Sequence, residues 1–195
     1  MRIGTQFKYA CVELTVDGIA IPWVQSITYL GVTLKSASKF LIDLKPARTK
    51  FYRAFNSLYS KISKANEFLI TSLLKTFCVP VILYGLEAFS LNTSNLRTLD
   101  TPLYNAMAKI FKSFDHNTLN WCMFYTDVLP LRLSHFKSKI NFLSKMLETE
   151  NNVIIYLFNQ LGRDELHRLC NNFNFDRNYC NKFTMTEHFV SNCLH

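Results

Sequence analysis

The sequence is short of the residues from which nucleotide-handling sites are usually built. Its five glycines, Gly4, Gly18, Gly31, Gly85 and Gly162, lie far apart and none is followed by lysine. Neither a phosphate-cradling P-loop nor a dinucleotide fingerprint can be assembled from them. No two aspartates are adjacent anywhere in the chain. Two-metal nucleotidyl transfer needs carboxylates close enough to share both ions, so unaided polymerase chemistry is not expected. The only adjacent acids, Asp164-Glu165, stand beside Arg163 and Arg168, a pattern that reads as a solvated, salt-bridged helix face. Ser134-His135 lacks the glycine-flanked elbow of a hydrolase nucleophile and reads as a helix-start serine beside a surface histidine. No catalytic residue is expected.

Closely spaced metal ligands are missing too. Cys170, Cys180, His188 and Cys193 cluster toward the end of the chain, but structural zinc sites place two ligands on one turn, and these gaps are too wide. Free thiols follow, with no metal and no cofactor. The other cysteines, Cys11, Cys78 and Cys122, are scattered, and the first residues do not form a basic, apolar, small-residue leader. The expected location is intracellular, cytoplasmic or nuclear. Long hydrophobic runs are also absent. The best candidate, Phe68 to Leu91, carries Lys75, Pro80 and Glu87, and its longest uncharged piece, Thr76 to Leu86, falls short of a membrane span. That piece, and the uncharged Gly18 to Leu34, read as buried core.

What the chain has is apolar and basic. Its 195 residues are 49% hydrophobic and 18% charged, with 17 Phe and 9 Tyr, enough to bury a substantial core. The net charge of +8 is concentrated: residues 35 to 64 hold eight Lys or Arg against Asp43 alone. Lysine and arginine suit phosphates, with Phe40, Tyr52 and Tyr59 near enough to be considered for stacking. The bland alternative for such a segment is a solvated surface helix, with Tyr52 and Tyr59 at the edge of the core.

The pattern predicts a mainly α fold behind a short β entry. Cys11 to Val16 and Ile19 to Trp23 flank Asp17-Gly18, a strong hairpin signal. Ile27 to Leu34 follows as a strand in which Leu30, Val32 and Leu34 alternate with Tyr29, Gly31 and Thr33, and Gly31 would permit close approach. From Pro46 the period becomes helical. Phe51, Phe55, Leu58 and Ile62 form an apolar stripe, with Lys50, Arg53, Ser57, Lys61 and Lys64 opposite. Further helices are expected over Glu67 to Phe77, Val81 to Leu91, Asn95 to Phe114 behind a Thr93/Ser94 cap, Leu133 to Leu147 and Val153 to Leu161. The expected division is a β element over 1–38, a helical domain over 39–165 and a polar, poorly ordered tail over 166–195.

Several strings then occur in a familiar order. Met1-Arg2-Ile3-Gly4 precedes Gly18 to Val24 and Tyr29-Leu30-Gly31-Val32. These are followed by Lys50 to Ser57, by Cys78-Val79-Pro80-Val81-Ile82-Leu83-Tyr84-Gly85-Leu86-Glu87-Ala88, and by Lys109-Ile110-Phe111. Over about residues 1 to 150 the chain resembles the end of the palm and the thumb of reverse transcriptases of non-LTR retrotransposons, the long interspersed element type. The fingers, most of the palm and the Tyr-x-Asp-Asp motif have no counterpart here. The resemblance implies that Tyr29, Leu30 and Gly31 are primer-grip-like, and that the helix bearing Lys50, Arg53, Lys61 and Lys64 faces nucleic acid. It implies a palm remnant followed by a thumb-like helical bundle, with no polymerase activity of its own. The expected partner is an RNA or DNA template and primer, bound weakly and without sequence preference, with no membrane and no small-molecule substrate. The alternatives are a helical protein-protein interaction module and a non-functional gene-model fragment.

Overall fold

The computed structural model describes residues 1–9 and 11–173. The chain divides into two compact units, Met1–Thr49 and Lys50 onward. The division falls later than the 38/39 line drawn from composition, because a further strand follows Phe40.

The first unit holds two antiparallel sheets. β1 (Leu14–Val16) pairs with β2 (Ile19–Ile21). β3 (Ser26–Tyr29), β4 (Val32–Lys35) and β5 (Leu41–Asp43) form a second sheet in that order. Both hairpins are closed by two residues at positive φ, Asp17 (50°) with Gly18 (77°), and Leu30 (46°) with Gly31 (82°). Such primed turns match the twist of the strands they join. The Asp-Gly hairpin is therefore where the sequence places it. Ile27 to Leu34, in contrast, is not one strand: it folds back at Leu30-Gly31, with Tyr29 opposite Val32. Gly31 is spent on the turn and is not a bare patch in a strand face. The reading of Gly18 to Leu34 as buried core also fails. Ile19, Ile21, Ile27 and Tyr29 are exposed, because a two-stranded hairpin and a sheet of three short strands bury little of either face by themselves. Among the described residues of this unit only Ile42 and Leu44 are buried.

The second unit is helical, which makes the chain mainly α as expected. α1 (Lys45–Ile62) begins in the last residues of the first unit. α2 (Glu67–Leu73) runs through a wide π turn, Leu74–Cys78, into α3 (Val79–Leu83). The wide turn directly precedes Pro80, whose ring would crowd the carbonyl four residues back in a regular helix. Gly85, at φ 71°, then ends the helix that sequence extends to Leu91, and a short 3-10 turn, Leu86–Ala88, follows. α4 (Thr93–Phe111), α5 (His116–Tyr125) and α6 (Leu131–Leu147) complete the centre. α7 (Asn152–Leu157) passes through a second π turn, Phe158–Gly162, into α8 (Arg163–Phe173). Residues 166–173 are thus helix rather than tail.

Short polar side chains start these helices. Asn66, Asn92, Asp115 and Asn151 each accept a hydrogen bond from a backbone N–H of the first turn. Asn92, not Thr93 or Ser94, caps α4. The core joins Leu99, Leu103 and Met107 of α4 to Leu131, Leu133 and Ile140 of α6, with Leu74, Ile82, Met123 and Leu166 from the surrounding elements. No helix among the described residues is long and apolar enough to cross a membrane.

Candidate nucleic-acid interface

α1 presents two chemically opposite faces. Phe51 and Phe55, one turn apart, are buried with their rings stacked at 6.4 Å. Lys50, Arg53, Ser57 and Lys61 advance by three or four residues and so share the other face, where all four are exposed. The helix ends at Ile62, so Lys64 is not on it but in the following turn, held where Ala65 N–H donates to the Ile62 carbonyl. Lys64 is exposed as well. No acidic residue occurs in α1. Among the described residues, none of Lys50, Arg53, Lys61 and Lys64 forms an ion pair with a carboxylate. The positive charge is therefore left to solvent.

The tyrosines beside this face are locked. Tyr59 O–H donates to the Lys109 carbonyl at 3.2 Å, and Asn105 Nδ2 donates to the Tyr52 hydroxyl at 3.0 Å. Both rings serve the seam between α1 and α4 rather than standing clear to stack on bases. Lys109 adds a cation that sequence does not place there. Its Nζ lies 4.7 Å from the centre of the Tyr59 ring and 5.7 Å from that of Phe55, with Asn56 Oδ1 at 3.4 Å. Only the tertiary contact of two helices far apart in sequence reveals it.

Tyr29, Leu30 and Gly31, the primer-grip-like residues, occupy the tip of the β3–β4 hairpin. Tyr29 is 66% exposed and Leu30 74%. They form a protruding turn and not a groove.

The polar pair readings change most. Ser134 is not a helix start, since α6 begins at Leu131, and His135 is not on the surface: it is 2% exposed, and its Nδ1 has no hydrogen-bond partner among the described residues. Burial, with the nearby Lys139 ammonium adding to it and Glu165 opposing, pushes its pKa down to about 4. Glu165 is not part of a solvated acidic face. Its Oε1 meets the buried Lys139 Nζ at 3.1 Å and accepts from Ser90 Oγ, while Arg168 Nε donates to the Asp164 carbonyl. Burial lowers the Lys139 pKa and the Glu165 carboxylate opposes the shift. The spacing of Ser90, Lys139 and Glu165 in sequence carries no sign of this cluster. Another unforeseen contact is the Asp100 carboxylate of α4, which accepts the Arg132 backbone N–H at 2.9 Å in the first turn of α6.

Of the cysteine and histidine group, Cys170 is buried in α8, and Cys180, His188 and Cys193 lie outside the described residues. Burial raises the Cys78 thiol to about 11, which keeps it protonated and unreactive.

Compared with protein-family models, with curated proteins and with solved structures, the chain matches none.

Proposed function

We propose that this chain is a reverse-transcriptase-like piece of a non-LTR retrotransposon, covering the end of the palm and the thumb, and that it binds RNA or DNA weakly and without sequence preference. It performs no nucleotide transfer by itself, since its sequence offers no paired aspartates for two metal ions. The observation that carries the reading is the exposed, carboxylate-free face of Lys50, Arg53 and Lys61, continued by Lys64 in the next turn. Cations that have no carboxylate partner among the described residues give up no such ion pair when they turn to phosphates, and each one engaged releases a condensed counterion. The resemblance of the flanking strings to the thumb region supplies the choice of partner.

The test is a salt titration of binding to duplex RNA, followed by fluorescence anisotropy. Affinity is expected to fall steeply with salt and to be indifferent to sequence. Replacing Lys50, Arg53, Lys61 and Lys64 together by Gln should reduce the slope of log affinity against log salt by up to roughly four units. Gln is nearly as good a helix former as Lys or Arg, so circular dichroism should be unchanged. Unchanged affinity and salt dependence in the quadruple variant would remove the proposal and leave an ordinary solvated helix.

A further inference from the structure

A cleft of about 280 Å³ lies where the first π turn and the start of α3 meet the α5–α6 connection and α6. Its apolar lining is Val79, Val128 and Leu129, of which Val128 is buried. The connection is pinned. Asp127 stands at φ 57°, a left-handed conformation that a residue other than glycine keeps only where its surroundings fix it. Lys75 fixes it at two points, its Nζ donating to the Asp127 carbonyl at 2.6 Å and to the Asp127 carboxylate at 2.7 Å. The Val128 N–H donates to the Met123 carbonyl at 2.9 Å, which anchors the next residue to α5. The cleft is thus shaped before any ligand enters, which lowers the cost of binding. Drug-sized ligands take roughly 300 to 1,000 Å³, so a smaller molecule suits it.

The polar side of the cleft comes from α6. Ser134, Lys137 and Ser138, three and four residues apart, share one face of that helix, and all three line the cleft half-buried. Hydroxyls elsewhere in these helices are taken up by the carbonyl one turn back: Thr71 donates to Glu67, Thr76 to Ser72, Thr98 to Ser94 and Thr126 to Cys122. Ser134 and Ser138 make no such bond, and among the described residues neither hydroxyl has a hydrogen-bond partner. The Lys137 ammonium has no carboxylate partner there either. Lys75 and Asp127, the other charged residues of the lining, are already paired with each other. One ammonium and two hydroxyl donors therefore remain beside an apolar wall. A single anionic group satisfies them, whereas a cation is repelled and a second negative charge has no partner.

We propose that this cleft binds a small monocarboxylate with a compact apolar body, its carboxylate held by Lys137, Ser134 and Ser138 and its body lying against Val79, Val128 and Leu129. The site shares no residue with the basic face of α1, and its test leaves the α1 lysines intact.

The probe is hexanoate, titrated into the isotope-labelled full chain and followed by amide chemical shifts, beside hexanol, hexylamine and inorganic phosphate. Hexanoate should bind saturably with a Kd of about 1 mM or tighter, shifting amides of Val79, Val128, Leu129 and the first turns of α6. Hexanol should bind roughly tenfold more weakly, since it forfeits the charge-assisted contact, and hexylamine and phosphate should shift none of these amides. Lys137→Gln should weaken hexanoate by roughly tenfold and leave hexanol unchanged, while Lys137→Arg keeps most of the affinity. Ser134→Ala with Ser138→Ala should cost roughly three- to tenfold. None of these side chains gives up a partner among the described residues, so an unaltered melting temperature should accompany each loss. Equal binding of hexanoate and hexanol overturns the proposal, as does hexanoate binding that survives Lys137→Gln. Phosphate that displaces hexanoate at equal concentration would reduce the site to a general anion spot and overturn it. Duplex RNA that displaces hexanoate, with a salt slope lowered by Lys137→Gln, would assign Lys137 to nucleic acid and overturn it too.

Discussion

At the scale of single residues, backbone geometry and burial set costs that can be measured. Leu30 sits at φ 46° in the first position of its hairpin turn, a region where a branched L side chain is strained and Asn is tolerated. Its side chain is mostly exposed, so little burial is lost on replacement. Leu30→Asn should therefore stabilise the β3–β4 hairpin by about 1 kcal/mol. Slower amide exchange of β3 and β4, with no change in the helices, would show it. His135 acts in the opposite sense. Its pKa in the folded chain is about 4, against an ordinary value of 6.5. Above the ordinary value both folded and unfolded forms are neutral and nothing is lost. As pH falls from 6.5 toward 4 the unfolded chain takes up a proton that the folded chain refuses, so stability declines across that window and its loss levels off below it. The contribution is roughly 3 kcal/mol. Urea melts of the parent and of His135→Leu between neutral pH and pH 4 should diverge by this amount, the variant being the less sensitive.

At the scale of elements, the buried Lys139–Glu165 pair ties α6 to α8, and Ser90 joins it from the segment before α4. Removing Lys139 alone strands a carboxylate beside a hydrophobic wall, at a cost of about 3 to 5 kcal/mol for a fully buried pair. Glu165 keeps 24% of its side chain exposed, which places Lys139→Met at the lower end. The double change Lys139→Met with Glu165→Leu should recover most of that loss, because two well-packed apolar side chains replace two desolvated charges. Chemical denaturation of the parent, the single and the double variants measures it directly. None of this was legible in the sequence, where Asp164-Glu165 next to arginines looks like solvent-facing charge. Periodicity describes which residues of one helix share a face, and it carries no information on which distant helix receives that face. α5 escaped for a related reason. His116–Tyr125 carries no acid, lysine or arginine and has apolar and aromatic residues around most of its circumference, so its buried Leu119 and Met123 do not stand out as a stripe.

At the scale of the molecule, the legible part was the part fixed by local rules. The change from period two to a helical period separated the strands from the helices. Asp17-Gly18 announced its turn, and the alternation of Phe51 and Phe55 with Lys50, Arg53 and Lys61 gave α1 its two faces. Leu30-Gly31 was missed because leucine is a poor turn residue and the apolar alternation continued unbroken through it. Charge, too, differs by region: among the described residues Lys50, Arg53 and Lys61 on the outer face of α1 have no carboxylate partner, whereas the buried Lys139 of α6 is paired with Glu165 of α8. The exposure of Val153, Tyr156 and Leu157 in α7 and of Leu161 in the turn after it has a cellular consequence. Apolar side chains left in water at the end of synthesis are what holdase chaperones and quality-control proteases recognise. The lifetime of this chain in a cell then depends on how much of this apolar surface water reaches as well as on how firmly the helices fold.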